Sequence, residues 1–174
     1  MLANLKLHRF TYIVLLIWAI LIIAFCVTTY KMQPLTVIFM KNDSRILQGL
    51  LRGSLLLVVY IAFSMIPLRF AILIPNLAYF GLLIGYIWQL VFVALGSSVA
   101  GIGADIAFVL VYALLVYCAT VTAFQIIERV KSHHRAYYFH NWLVTTKKVV
   151  RAHWLPLVVL VCGYAFLWAT VSPR

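Results

Sequence analysis

The sequence predicts an all-α fold, namely a polytopic integral membrane helical bundle with about five transmembrane helices and an interfacial amphipathic helix. Hydrophobic residues make up 66% of the 174-residue chain and charged residues only 10%, whereas roughly a quarter of the residues in a soluble domain are charged. The charged residues also lie in short stretches that separate long apolar runs. We therefore expect a single transmembrane domain over residues 1–174.

The first apolar run predicts a transmembrane helix over about residues 10–30, since a span needs about 20 apolar residues. A cleaved signal peptide is the alternative, because Lys6 and Arg9 resemble its basic start. The run is longer than a usual signal peptide core, and no small-residue cleavage site follows it. A retained span is the better interpretation. Residues 31–52 are then expected to form a loop or a surface helix.

The next apolar stretch contains a single charge, Arg69, and is long enough for two spans. We place the break at Pro67 and Arg69, because proline lacks a backbone donor and arginine favours the membrane interface. The second span is then predicted at about 50–66 and the third at about 70–95. Pro75 is expected to kink the third span near its start.

Small residues over 96–103 predict a tight turn before a fourth span at about 104–127. A basic segment follows at 129–152, and its apolar residues recur at helical spacing. That pattern is typical of an amphipathic helix lying on the membrane surface. The last span is predicted at about 154–171.

Basic residues predict the orientation, because Lys and Arg accumulate in cytoplasmic loops. The formal net charge is +11, and an inside amino terminus places most of the bases in the cytoplasm. Nucleic-acid binding is not expected, because the bases flank apolar spans and form no polar domain. Contact with anionic lipids or a partner protein is expected instead, through Arg129, Lys131, Arg135, Lys147, Lys148 and Arg151.

Asp105 is the only acidic residue predicted at or inside a span. Aspartate is a good helix N-cap, so the favoured interpretation is a cap on the fourth helix after the small-residue turn. A charge inside a membrane is costly and commonly functional. The alternatives are therefore a proton or cation site, or an ion pair with Arg52 or Arg69.

Two amides, Gln89 and Asn76, are the other candidate functional side chains within the spans. Amides at membrane depth need hydrogen-bond partners, and bonds between helices supply them at roughly 1 kcal/mol each. Structural cross-linking of helices is the favoured interpretation, and substrate binding is the alternative.

Two pairs of glycines four residues apart are candidates for close helix packing. Gly81 and Gly85 lie in the third span, and Gly49 and Gly53 lie at the start of the second. Small residues at this spacing let two helix backbones approach.

No motif for catalysis or metal binding is found in the sequence. The five histidines lie at the edges of spans or in loops, and the three cysteines have no metal-binding spacing. Paired carboxylates and nucleophile or phosphate-binding motifs are also absent from the sequence. We expect no metal, no cofactor and no enzymatic activity.

The layout resembles the stage II sporulation protein M family. The matching pieces are the segment 80–86 with its two glycines, the turn glycines Gly101 and Gly103, and the ending Ala-Thr-Val-Ser-Pro at 169–173. The family also has an inside amino terminus, a closely spaced pair of central spans and a basic cytoplasmic stretch before the last span.

This resemblance implies a non-enzymatic scaffold or accessory subunit in the bacterial cytoplasmic membrane. Its partners would be other membrane proteins, such as an ABC-type transporter or cell-wall machinery, as in sporulation. The alternative is a small transporter or permease subunit that moves a small solute or ion. A transport path needs several polar residues at the midplane, and only Gln89 is clearly central in the sequence. A membrane-embedded enzyme is a third option, which the lack of acid–base groups disfavours.

Overall fold

The computed structural model describes residues 16–24, 43–94, 99–131 and 138–171. All regular secondary structure in these ranges is helical, which confirms the all-α prediction. The chain divides into two units, Met1–Gln33 and Pro34–Arg174. The described part of the first unit is helix α1, residues 16–24, and the rest of the predicted first span lies outside the described residues.

The second unit contains four long helices and one short 3-10 helix: α2 Asp43–Phe63, the 3-10 helix Arg69–Ile72, α3 Leu73–Ala94, α4 Val99–Lys131 and α5 Tyr138–Val171. Four segments within these helices are long and apolar enough to cross a membrane, namely Ser44–Phe63, Phe70–Trp88, Ile102–Val130 and Tyr138–Thr170. The chain is therefore a multi-pass membrane protein.

Contacts between α4 and α5 show that these two helices are antiparallel. The ring of Tyr112 lies 5.9 Å from the ring of Tyr164, whereas Gln125 is hydrogen-bonded to His153. Contacts between α3 and α4 follow the same reversed order. The second unit thus has the alternating helix directions of an up-down four-helix bundle.

Helix α2 begins at Asp43, earlier than the predicted start at residue 50. The helix includes Arg45 and Arg52, which the sequence analysis placed in a loop or surface helix. A long basic side chain can extend from a helix toward the membrane interface, so these charges do not prevent helix formation. The helix ends at Phe63, and hydrogen bonds of the i to i+3 type tighten the chain before Pro67.

Pro75 lies in the first turn of α3, which begins at Leu73. Backbone N–H groups of a first turn have no partner within the helix, so a proline there removes no hydrogen bond. The predicted kink near the start of the third span therefore has no physical cause.

Helix α4 begins at Val99, so Gly101 and Gly103 are helical and do not form the predicted turn. Glycine in a helix interior costs about 1 kcal/mol relative to alanine. Packing of the remaining buried face of α4 against three other helices outweighs that cost.

Helix α5 runs without a break from Tyr138 to Val171, and Pro156 lies inside it. The prediction of a surface helix over 129–152 that is separate from the last span is wrong, because residues 138–152 and the last span form one continuous helix. Proline is tolerated inside membrane helices, where neighbouring groups can satisfy the carbonyl that loses its donor. At 1.5 Å per residue, α5 is about 50 Å long, longer than the ~30 Å hydrocarbon core of a bilayer.

The core of the second unit has two parts. The larger part packs the middle of the four long helices around fully buried residues such as Ile72, Leu115 and Val116. The smaller part joins the end of α4 to the start of α5 through Ile126, Val130 and Val149, with Tyr138 and Trp142 packed against them. The basic stretch of α5 is therefore held against α4 by its own apolar cluster.

Candidate functional site

Asp105 is buried in α4 and is 4% exposed. The prediction that it caps the helix is wrong, because α4 begins at Val99, more than one turn before it. Both carboxylate oxygens are buried and have no hydrogen-bond partner among the described residues. A buried polar group without a partner costs free energy, and the cost is larger for a charge. Asp105 is therefore the side chain in the bundle that most requires an explanation beyond packing.

An aromatic cluster adjoins Asp105 along the buried face of α4. Phe108 and Tyr112 lie three and seven residues after Asp105, so the three side chains share one helix face. The Phe108 ring lies 5.6 Å from that of Tyr164 and 6.0 Å from that of Trp168. Tyr86 of α3 meets Phe108 and Tyr112 edge to face. Ring pairs of this kind contribute about 0.5–1.5 kcal/mol each beyond their burial.

Arg52 of α2 contacts the aromatic cluster through its Trp168 ring. Its guanidinium lies 4.3 Å from the centre of the Trp168 ring, a cation–π contact. The Trp168 Nε1 is buried and has no hydrogen-bond partner among the described residues. The alternative of an ion pair between Asp105 and Arg52 is not observed, because the Arg52 guanidinium contacts Trp168 instead. The side chain of Arg69 lies outside the described residues. At one end of the bundle, therefore, a buried acceptor and a buried donor lie near the same aromatic rings, and neither is hydrogen-bonded to a residue that the structure describes.

Asn76 joins three helices near the other end of the bundle. Its Oδ1 accepts a hydrogen bond from the Tyr60 hydroxyl of α2 at 2.5 Å and lies 2.7 Å from the Thr120 hydroxyl of α4. Thr120 also lies within hydrogen-bond distance of the Val116 carbonyl. The geometry matches the cross-linking interpretation of Asn76, since the amide oxygen is used by neighbouring helices. The side chain of Gln89 lies outside the described residues.

Polar contacts at its basic end connect helix α5 to the turn after α2 and to α4. The Trp142 Nε1 donates to the Ser64 hydroxyl at 3.2 Å, and the Tyr138 hydroxyl donates to the Met65 carbonyl at 2.6 Å. His153 Nε2 lies 2.8 Å from Gln125 Oε1. These contacts attach the segment 138–153 to the bundle.

The two predicted glycine pairs lie in different surroundings. A Cβ added at Gly49 would lie 2.7 Å from the Ala165 Cα, so α2 and α5 are in backbone contact there. A Cβ at Gly53 would lie 3.2 Å from the Tyr164 ring. Gly85 of α3 is buried and Gly81 is half-buried. A small residue is therefore sterically required at Gly49, where the neighbouring atoms belong to a backbone.

The structure describes only some of the basic side chains that were predicted to contact anionic lipids or a partner protein. Lys147, Lys148 and Arg151 are exposed on α5, and Arg129 is exposed near the end of α4. Arg135 and the side chain of Lys131 lie outside the described residues. The exposed bases of α5 lie on a helix that is continuous with a membrane span, so any group that they bind is held at a fixed distance from the bundle.

No three His, Cys, Asp or Glu side chains lie together in the part of the chain that the structure describes. Cys118 and Cys162 are free thiols. Asp105 therefore belongs to no such group of three within the described ranges.

Several residues of the site were missed in the sequence, above all the aromatic cluster. Phe108 with Tyr112, and Tyr164 with Trp168, are aromatic pairs four residues apart, a spacing that places both members on one helix face. The sequence therefore contained a signal for the aromatic cluster. It contained no signal for the partners of Asn76, because Tyr60 and Thr120 are ordinary residues of two other spans.

Comparison with protein-family models, curated proteins and solved structures finds no match to this chain.

Proposed function

We propose that the protein is a non-enzymatic scaffold or accessory subunit of a membrane protein complex, in the bacterial cytoplasmic membrane and with its amino terminus inside. The main support is the use of polar side chains within the spans. The Asn76 oxygen serves Tyr60 and Thr120, and Gln125 is paired with His153. Groups that a transport path would offer to a solute are here engaged in bonds between helices.

The exposed faces of the helices support the same proposal. Leu51, Leu55 and Val58 of α2 and Leu155 and Val159 of α5 are each about half exposed or more. Such residues meet either lipid or the helix of another membrane protein. The resemblance to the stage II sporulation protein M family points to partners of this kind, for example an ABC-type transporter or cell-wall machinery.

Asp105 favours a second candidate function, a small transporter for protons or another cation. A carboxyl group without a partner inside a membrane helix is the usual site of ion coupling in transporters. Under this alternative, Asp105 would bind and release the ion.

One pair of experiments separates the two functions. In the first, the gene is deleted in the host and the abundance of every membrane protein is measured by quantitative mass spectrometry. A scaffold should leave one or a few partners depleted, and both the wild-type chain and Asp105→Asn should restore them. In the second, the purified chain is reconstituted in liposomes with a pH-sensitive dye inside. Proton or cation flux that disappears in Asp105→Asn, without depletion of any membrane protein in the first experiment, would refute the scaffold proposal.

A further inference from the structure

A groove of about 350 Å³ lies between α2 and α5, with α4 as its floor. The α5 wall includes Val150, Trp154, Val158 and Cys162, the α2 wall includes Leu50, Ser54, Leu57 and Ile61, and the floor is formed by Ala119 and Thr122. Val158, Trp154, Ser54 and Cys162 are exposed, so the groove opens to the outside of the bundle.

Contacts between α2 and α5 lie on either side of the groove. At one end Gly49 packs on Ala165 and Gly53 packs on Val161. At the other end Ser64, in the turn after α2, is hydrogen-bonded to Trp142. The lining residues of the groove lie between these two sets of contacts.

Most of the groove lining is apolar. Three lining residues carry a hydroxyl group. The Tyr60 hydroxyl donates to Asn76 and the Thr122 hydroxyl donates to the Cys118 carbonyl, whereas Ser54 is exposed. Burial of hydrocarbon is therefore the main interaction that the groove offers an occupant.

The length of the groove matches one leaflet of a bilayer. From Val150 to Cys162 the α5 wall extends about 18 Å at 1.5 Å per residue. Half of a hydrocarbon core of about 30 Å is about 15 Å. The groove can therefore accept one acyl chain along its full depth from one side of the membrane.

Positive charge lies at one end of the groove. Lys147 is three residues before Val150 and seven before Trp154, so it continues the same face of α5 by one turn. Arg151 lies one turn after Lys147, and both side chains are exposed. Trp154 is 57% exposed, and tryptophan is enriched where hydrocarbon meets headgroups. A negatively charged headgroup fits this end.

We propose that the groove binds one anionic glycerophospholipid, with an acyl chain between α2 and α5 and its phosphate on Lys147 and Arg151. This site is a defined lipid position and goes beyond a general affinity of the basic segment for acidic membranes. It holds whether the protein is a scaffold or a transporter.

Native mass spectrometry of the full chain in detergent tests the proposal with two probes, phosphatidylglycerol and phosphatidylcholine with identical acyl chains. One phosphatidylglycerol per chain should be retained more strongly than phosphatidylcholine. Each base near an anionic headgroup contributes about 1 kcal/mol, which converts to about a fivefold change in binding. Lys147→Gln should weaken phosphatidylglycerol binding by about that factor. The matched control Lys148→Gln, about 100° away around the helix, should change it much less.

Filling the groove gives a second, independent variant. Ser54→Phe places a ring in the groove from an exposed position, whereas Leu55→Phe places one on the neighbouring face outside the lining. Ser54→Phe should abolish the tightly retained lipid and Leu55→Phe should not. Equal retention in both variants, or equal retention of the two lipids by the wild-type chain, would overturn the proposal.

A photo-crosslinking residue at Val158 identifies the occupant without relying on a stability-sensitive variant. In native membranes, a phospholipid adduct supports the proposal. An adduct with residues 1–33 of the same chain, or with a second copy of the chain, would show that a helix fills the groove and would overturn it.

Discussion

Replacing Gly49 by alanine should weaken the contact between α2 and α5. The new Cβ would lie 2.7 Å from the Ala165 Cα and 3.0 Å from its carbonyl oxygen. Carbon atoms prefer about 3.5–4.0 Å, so the helices must separate by roughly 1 Å, a gap that removes about half of each affected dispersion contact. Overpacking costs about 1–3 kcal/mol. The two nearest atoms, the Ala165 Cα and carbonyl oxygen, belong to the backbone and cannot move aside as a side chain can. We therefore expect an overpacking cost near 3 kcal/mol, the upper end of this range.

Two other glycines provide matched controls for Gly49→Ala. At Gly53 the new Cβ would meet the Tyr164 ring at 3.2 Å, and that side chain can shift. At Gly103 nothing lies within 4 Å. Alanine in place of glycine in a helix gains about 1 kcal/mol, so Gly103→Ala should stabilise by up to that amount and Gly53→Ala should change little. Gly49→Ala, after the same gain, should destabilise by about 2 kcal/mol.

Reversible unfolding in mixed micelles of a mild detergent and dodecyl sulfate measures these differences, with circular dichroism as the readout. The free energy of unfolding should rank Gly103→Ala highest, then Gly53→Ala, then Gly49→Ala. If Gly49→Ala were as stable as Gly103→Ala, backbone contact between α2 and α5 at Ala165 would be refuted.

Three further predictions concern polar groups and topology. Asn76→Leu should destabilise the bundle by about 1–2 kcal/mol in the same unfolding assay, because Tyr60 and Thr120 lose their shared acceptor; an unchanged stability would contradict the three-helix junction. Asp105→Asn should raise the free energy of unfolding by about 1–3 kcal/mol, since it removes a buried carboxylate that has no hydrogen-bond partner within the described ranges; a loss of stability instead would mean that the carboxylate has a partner such as a bound ion. Single cysteines at Ser44 and Ser132 in a Cys-free variant should react with a membrane-impermeant reagent from opposite sides, and reaction from the same side would exclude the predicted five-span topology.

Much of the fold was predictable because the length and hydropathy of an apolar run alone decide whether a helix can cross a membrane. The exact ends were harder to predict. Arg52 was assigned to a loop or surface helix because bases interrupt the apolar pattern there, yet its guanidinium is accommodated on the Trp168 ring. Gly101 and Gly103 were taken for a turn, since nothing in the local sequence reveals the packing that outweighs their low helix propensity.

The candidate site was predictable to a smaller extent. Asp105 and Asn76 stand out in the sequence because polar side chains are rare in apolar runs. Their surroundings cannot be recognised in the sequence in the same way, since the partners of Asn76 are 16 and 44 residues away along the chain. The role of Asp105 depended on where α4 begins, so an error of a few residues in that boundary turned a buried carboxyl group into a helix cap.

The unbroken length of α5 has a mechanical consequence. The helix carries Tyr138 and the exposed bases at one end and Trp168, beside Arg52 and Phe108, at the other. A rod of about 50 Å that tilts by roughly 5° about its midpoint moves each end by about 2 Å. Displacements of 1–2 Å are the size that helix shifts reach in switching proteins. A tilt of α5 as one body would therefore displace both its basic end and the aromatic rings of Trp168 and its neighbours at the other end.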